Sequence, residues 1–236
     1  MDDGAVITTE NLTKQYKVGS GAFTALSGIN LSVDTGEFVG LVGPSGSGKT
    51  TLLNLIGALD LPTEGKAIVM GQDTLGLSHR DAARLRSRYL GFIFQTYNLL
   101  PVYTVYENVE FPLLLMEMEA CRRKQAVMEA LEWVGLTDKA GSRPAQLSGG
   151  ESQRVAVARA MVKKPKIVLA DEPTANLDAA NSHNILRTMS ELNSRIKTTF
   201  VFATHDAKVV RYIRRKITLN DGRVAEDVRQ SPAPGD

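Results

Sequence analysis

Cysteine is almost missing from this chain. Cys121 stands alone among 236 residues, so no disulfide can form within it, which suits a reducing compartment. Cys121 also opens a charged helical stretch with no recognisable histidine partner pattern, which argues against a role as nucleophile. A dominant charge is missing too. The 28 Lys and Arg residues nearly balance 26 Asp and Glu, and a net charge of +2 is too small for a nucleic-acid footprint, so no nucleic-acid partner is expected. Short basic runs at 84–88, 122–124 and 211–216 read as solvated helix faces, with a weak attraction to an anionic membrane surface as the alternative. Long apolar runs are absent, and the longest candidate, at 111–116, is far short of the roughly 18 residues that a membrane span needs. The N-terminus carries Asp2 and Asp3 in place of the positive region and apolar core of a signal peptide. A cytoplasmic protein is therefore expected, with any membrane role borrowed from another subunit.

What is present is a globular composition, 43% hydrophobic and 23% charged, in a chain long enough for one large α/β domain or a core with a smaller lobe. The first third reads as β-rich: Leu26, Ile29, Leu31 and Val33 partly alternate, and an apolar strand follows at 37–42. Strand signals return at 67–70 and 90–94. Ala126, Val127, Ala130, Leu131 and Val134 then recur at helical spacing, so 96–164 reads as a mostly helical lobe. Beyond it lie a strand at 166–170, a helix striped by Ile185, Met189, Leu192 and Ile196, a strand at 198–203 and a closing hairpin across Asn220-Asp221-Gly222. Strands alternating with helices predict a parallel α/β core. Residues 230–236 read as a frayed polar tail.

Three segments carry chemistry. Gly43-Pro44-Ser45-Gly46-Ser47-Gly48-Lys49-Thr50 matches the phosphate-loop pattern, directly after a strand and before a helix that the pattern places at 51–59. Glycines let successive backbone N–H groups face inward as an anion nest, and the helix N-terminus adds its positive dipole end. Lys49 then reaches the β- and γ-phosphates, and the Thr50 hydroxyl ligates Mg²⁺. The second segment, an apolar strand ending in Asp171 and Glu172, fits the other half of a phosphate site: Asp171 holds Mg²⁺ through water, and Glu172 polarises the attacking water. Read alone, it is equally a strand followed by an acidic turn. In the third, Leu147-Ser148-Gly149-Gly150-Glu151-Ser152-Gln153, Ser148 and Glu151 form a capping box at a helix start. Gly149 and Gly150 leave room for a phosphate, which a structural cap would not require.

Taken in order and spacing with His205, these segments resemble an ATP-binding-cassette nucleotide-binding domain over essentially the whole chain. The resemblance implies an α/β fold with a P-loop, RecA-like core, an N-terminal antiparallel β subdomain and an inserted helical subdomain. Within one domain over 1–236, the catalytic core and β subdomain would take 1–95 and 165–229, and the helical subdomain 96–164. It implies an ATPase that binds ATP and Mg²⁺, with the phosphate loop of one copy and the Ser148 segment of a second copy clamping each of two ATPs. Thr51 joins the phosphate contacts. Tyr16 occupies the place of an adenine-stacking aromatic, with Phe23 a nearby competitor. Gln95 matches a residue that senses Mg²⁺ and the attacking water, and Asp178, in Ala175-Asn176-Leu177-Asp178, an interface contact. His205 matches a γ-phosphate switch, whereas His79 and His183 match nothing and are expected on the surface.

The stretch from Leu90 to Pro101, then Glu107-Asn108-Val109 and Pro112-Leu113-Leu114, resembles the lipoprotein-release and macrolide-export group of that family (LolD/MacB type), with the cell-division ATPase FtsE a close relative. Ser152 and Ala175 depart from the usual residues without replacing a phosphate contact. The expected partner is an integral-membrane permease, which would hold the chain peripherally on the inner face of the membrane. An FtsE-like ATPase that controls a membrane partner without moving a substrate would have the same ATP site. DNA-repair or ribosome-associated cassettes would bring a long coiled-coil insertion or a second cassette, and neither occurs in this sequence. Finally, Tyr97, Leu99, Leu100, Pro101 and Tyr103 give 96–105 an apolar character that fits a permease groove, with packing inside the lobe as the alternative.

Overall fold

The computed structural model describes residues 4–19 and 21–230. The chain begins with β1 (Ala5–Val18) and β2 (Gly21–Asp34), followed by β3 (Phe38–Val42), α1 (Lys49–Ile56), β4 (Glu64–Val69) and β5 (Gln72–Asp73). Next come α2 (His79–Tyr89), β6 (Leu90–Ile93), α3 (Val105–Leu114), α4 (Ala120–Trp133) and α5 (Gly149–Met161). The remainder runs β7 (Ile167–Asp171), α6 (Ala179–Ile196), β8 (Thr199–Thr204), α7 (Ala207–Val210), β9 (Arg215–Asn220) and β10 (Arg223–Arg229). Two sheets result. One is antiparallel, in the order β2-β1-β4-β5; the other has the order β10-β9-β3-β8-β7-β6, parallel except for the terminal β9–β10 hairpin.

The short central strands are apolar throughout because both faces of their sheet are covered. Successive residues point to opposite cores. Phe38, Phe200, Phe202, Val168 and Ala170 face a cluster shared with Val109, Leu131, Val155 and Met189 of the helices. Val39, Leu41, Leu169, Val201 and Ala203 face the other cluster, which holds Leu52 and Ile56 of α1 with Ile7, Leu12, Leu26 and Ile29 of the antiparallel sheet. Each large side chain so buried contributes about 1.5–3 kcal/mol. Phe38, Phe200 and Phe202 pack ring against ring, with centroids 4.6 to 5.8 Å apart, and so knit β3 to β8. Among the described residues no helix is long and apolar enough to cross a membrane.

One helix departs from the sequence-based expectation, and the long first strand left no pattern to read. β1 carries no clean alternation because its pairing with β2 is interrupted by register shifts, and Asn11 adopts a left-handed φ of 46° at one of them. Helix α1 occupies Lys49–Ile56, not 51–59: Gly48 at φ 99° delivers the chain straight into it, and Ala58 at φ 49° turns the chain away past its end. The polar tail expected at 230–236 lies, apart from Gln230, outside the described residues.

The β9–β10 turn ties the core to the site. Asn220 pairs with Arg223, so Asp221 (φ 45°) and Gly222 (φ 72°) form a two-residue hairpin loop. The Gly222 carbonyl accepts from Ser27 N–H at 2.8 Å, and its N–H donates to the Ser47 carbonyl at 3.2 Å. A Cβ on Gly222 would lie 2.6 Å from the Ala25 carbonyl oxygen. Gly222→Ala therefore combines left-handed strain with a backbone clash, and should lower unfolding stability by about 2 kcal/mol in urea titrations; an unchanged midpoint would contradict this.

Candidate functional site

Sheet order decides which loops meet. β8 lies between β3 and β7, and β7 lies beside β6, with Val42 level with Thr204, Asp171 with Ala203, and Ile93 with Ala170. The segments that leave these four parallel strands at their C-terminal ends thus emerge side by side, where α/β sheets bind ligands. They carry Gly43–Thr50, His205, Glu172 and Gln95 respectively.

The 43–50 loop is shaped by crowding as well as by freedom. Gly46 (φ 81°) and Gly48 (φ 99°) are left-handed, and a Cβ on Gly43 would lie 2.2 Å from the Leu219 carbonyl oxygen. Pro44 and Ser45 carry the chain outward between them, and the Pro44 carbonyl accepts from Ser47 N–H at 3.2 Å. No side chain caps the start of α1, so its first N–H groups remain available to an anion. The buried Lys49 ammonium donates to the Gly43 and Pro44 carbonyls at 2.7 and 2.9 Å, folded within its own loop. The Ser47 hydroxyl is buried with no hydrogen-bond partner, an unmet polar group inside this cradle.

Across from the loop, the Thr50 hydroxyl donates to Asp171 Oδ1 at 3.1 Å. Burial pushes the Asp171 carboxyl above the usual carboxylate range; the Thr50 hydrogen bond and Lys49 oppose that rise, and the charge of Glu172 adds to it. A hydroxyl and a carboxylate this close make a hard, all-oxygen pair that fits Mg²⁺, which completes its shell with water and phosphate. Among the described residues no group of three His, Cys, Asp or Glu side chains is placed to hold a metal without such help.

Glu172 is strained into a left-handed φ of 44°. Its N–H donates to the Ala203 carbonyl at 2.9 Å, and its carboxylate accepts from the Thr204 hydroxyl at 3.1 Å and from His205 N–H at 3.2 Å. The His205 ring completes the set, its Nδ1 lying 2.5 Å from Glu172 Oε1 while the ring stays largely exposed. Gln95 is exposed, and its backbone carbonyl accepts from the Asn176 side-chain amide at 3.0 Å.

Ser148 caps α5 with a full capping box: its hydroxyl accepts from Glu151 N–H at 3.2 Å, and its own N–H donates to Glu151 Oε2 at 2.8 Å. A Cβ on Gly150 would lie 2.6 Å from Asn181 Oδ1, so the Asn181 side chain packs closely over that glycine, while Gly149 faces the Tyr97 hydroxyl. Asp178 caps α6, accepting Asn181 N–H and its side-chain amide at 2.8 Å each. Asp178, Asn181 and Gly150 thus form one contiguous string.

Tyr16 and Phe23 are cross-strand partners on the β1–β2 hairpin, so their rings share a face. The Tyr16 hydroxyl donates to Asp60 at 2.9 Å, and Lys14 donates to the other Asp60 oxygen at 2.6 Å. Burial acts to raise the Asp60 pKa, but the hydrogen bonds from Lys14, Tyr16 and Leu61 N–H outweigh it and hold the carboxyl below its usual range. Asp60 and Arg159 belong to no sequence motif, whereas Gln153 closes the Ser148 motif and takes its role from the fold. Gln153 is fully buried and donates to the Pro173 carbonyl at 2.6 Å, so α5 is tied to the Glu172 turn. Asp60 and Arg159 have no local signal, and all three find their partners only through the fold.

Residues 26–175 match the ABC transporter family. The chain belongs to that family. It is 44% identical over 219 residues to the lipoprotein-releasing system ATP-binding protein LolD of Pseudoalteromonas translucida, covering 93% of this chain and 94% of that protein. It is also 44% identical over 227 residues to the macrolide export ATP-binding/permease protein MacB of Rhodopirellula baltica, covering 95% of this chain but only 33% of that longer protein. The uncharacterised ABC transporter ATP-binding protein YvrO of Bacillus subtilis is 43% identical over 224 residues, covering 95% of this chain and 97% of that one. Among solved structures, the dimeric cassette MJ0796 superposes with a TM-score of 0.88 at 41% identity, over 94% of this chain and 98% of that one, including a post-hydrolysis dimer bound to ADP and Pi. This chain is accordingly an ABC transporter ATPase of the LolD/MacB group, with the family's mixed α/β fold. Ser148→Ala, which strips the capping box from α5, should cost about 1 kcal/mol of unfolding stability by chemical denaturation; no measurable loss would show that the cap is idle.

Proposed function

We propose that two copies of this chain close around two MgATP molecules and, on hydrolysis, drive a separate membrane permease from its cytoplasmic side. The observation that supports this most is the convergence of Lys49, Thr50, Asp171, Glu172 and His205 at one edge of the parallel sheet. The backbone of Gly43 to Gly48 and the N-terminus of α1, with Thr51, would cradle the phosphates, and Lys49 would exchange its loop carbonyls for β- and γ-phosphate oxygens. Thr50, Asp171 and Gln95 would hold Mg²⁺, which supplies positive charge to the developing phosphate oxygens. Glu172 accepts a proton from the attacking water, and His205 contacts the γ-phosphate edge while fixing the Glu172 carboxylate. Ser148, Gly149 and Gly150 would close on the nucleotide held by the second copy, with Asp178 at the interface. Tyr16, braced by Asp60, would stack on adenine, with Phe23 alongside.

The helical segment 96–164 serves as the lobe that meets the permease. Leu99 packs against the core, while Tyr97 and Leu100 are half-buried, so the apolar surface lies farther along than the sequence pattern implied. It consists of Val102 (72% exposed), Tyr103, Phe111, Leu114, Leu115 (64%) and Met116. Phe111 and Leu114 share one face of α3, with Leu115 capping its end, and Tyr103 adjoins Phe111 with ring centroids 6.4 Å apart. Buried Asn108 braces the neighbouring loop, accepting from Leu100 N–H and donating to the carbonyls of Leu100, Tyr103 and Thr104. A permease of the lipoprotein-release or macrolide-export kind fits this reading. A partner controlled mechanically, in the manner of FtsE, is the alternative.

Glu172→Gln should retain MgATP binding, slow hydrolysis by about 10²-fold or more, and accumulate as a dimer with MgATP on size-exclusion chromatography. Normal turnover, or a persistent monomer at saturating MgATP, would count against this reading. Leu115→Asp should shift unfolding stability by no more than about 0.5 kcal/mol, as for other surface changes, yet lose co-purification with a co-expressed permease subunit that the wild type retains. Undiminished co-purification would place the groove elsewhere.

A further inference from the structure

Tyr97 and Asn98 follow Gln95 with consecutive left-handed backbones, φ 60° and 49°. Two successive residues bearing a Cβ rarely adopt this conformation unless their surroundings impose it. Arg159, near the end of α5, supplies the restraint. Its Nη1 donates to the Asn98 carbonyl and its Nη2 to the Tyr97 carbonyl, each at 2.6 Å. The planar fork of a guanidinium can hold two adjacent carbonyls in fixed orientation; a lysine ammonium cannot fix both in that way.

The same segment returns to the other end of α5. A Cβ on Gly149 would lie 3.1 Å from the Tyr97 hydroxyl oxygen and 3.7 Å from the Asn176 carbonyl oxygen. Asn176 in turn donates its side-chain amide to the Gln95 carbonyl at 3.0 Å. Residues 95–98 are therefore bonded to the later part of one helix through Arg159 and to the turn that follows Glu172 through Asn176, and Tyr97 lies against the start of that helix at Gly149. That helix is buried around most of its girth, from Gly150 to Met161, and so moves as a unit.

We propose that Arg159 is a positioning residue, a latch that locks segment 95–98 to α5 so that Gln95 and the Ser148–Gly150 end of the helix shift as one body. This rests on the function proposed above and specifies how one site reports to the other. Nucleotide held at the phosphate loop acts on Gln95, and the latch converts that action into the pose in which Ser148 is offered to the second copy. A latch of this kind governs closure of the dimer and leaves the first encounter of a single chain with MgATP untouched.

The test uses the full-length Glu172→Gln protein as parent, with Arg159→Lys, and Arg159→Lys combined with Asn98→Gly, added to it. Fluorescent-ATP titration of dilute protein reads nucleotide affinity, light scattering reads the MgATP concentration that half-saturates dimerisation, and hydrogen exchange of the nucleotide-free chain reads coupling. Arg159→Lys should leave ATP affinity within about 2-fold while raising the concentration for dimerisation about 10-fold, the scale of one lost charge-assisted hydrogen bond. Exchange should rise at 96–99 and at 149–152 together. Asn98→Gly, which removes the left-handed penalty that Arg159 offsets, should recover part of the loss. Unchanged dimerisation, an equal loss of ATP affinity and dimerisation, or faster exchange confined to 96–99 would each overturn the latch. Failure of the parent itself to dimerise would instead sink the proposed ATP-sandwich function, and the exchange result would still decide whether the latch exists.

Discussion

Everything in this molecule depends on the parallel pairing of β3, β8 and β7 with both sheet faces buried. Phe38, Phe200 and Phe202 on one side, and Val39, Leu41 and Val201 on the other, leave no register but one that keeps every large side chain out of water. That register brings Val42, Thr204 and Asp171 to the same edge. The loops beyond them then have nowhere to go except toward one another. The chemistry is local to a few side chains, but its location is a property of the apolar core.

A second regularity links the proposed ligand-facing groups. Lys49 holds two carbonyls of its own loop, Thr50 holds Asp171, Glu172 holds His205 and Thr204, and Asp178 holds Asn181. These side chains thus have internal partners, which avoids the penalty of a buried charge left unpaired. Binding then becomes an exchange of partners, and an exchange favours only a ligand that offers better ones. A phosphate chain with Mg²⁺ does so for Lys49, Thr50 and Asp171 together, whereas a lone anion satisfies only the first.

The motif residues were legible in the sequence because their spacing reflects local geometry: left-handed glycines before a helix, a cap with its glutamate, an apolar strand ending in two acids. The parallel core and the helical insert were legible from the change in apolar period. Long strand β1 was not, since its register shifts scramble alternation. Nor were Asp60 and Arg159, whose partners lie many residues away and carry no pattern of their own. The apolar character of 96–105 was visible, but its division into inward Leu99 and outward Val102 and Tyr103 required the fold, because the buried Asn108 decides which way the loop turns.

The central claim is that the 43–50 loop holds the phosphates of MgATP with Lys49 as their charge partner. Equilibrium titration of the wild type and of Lys49→Ala with a fluorescent ATP analogue, in the presence of Mg²⁺, addresses it directly. Removing the ammonium from a buried phosphate cradle should weaken binding by about 10-fold or more, on the scale of a lost charge-assisted hydrogen bond. A mutant that remains folded and binds MgATP with wild-type affinity would contradict the account.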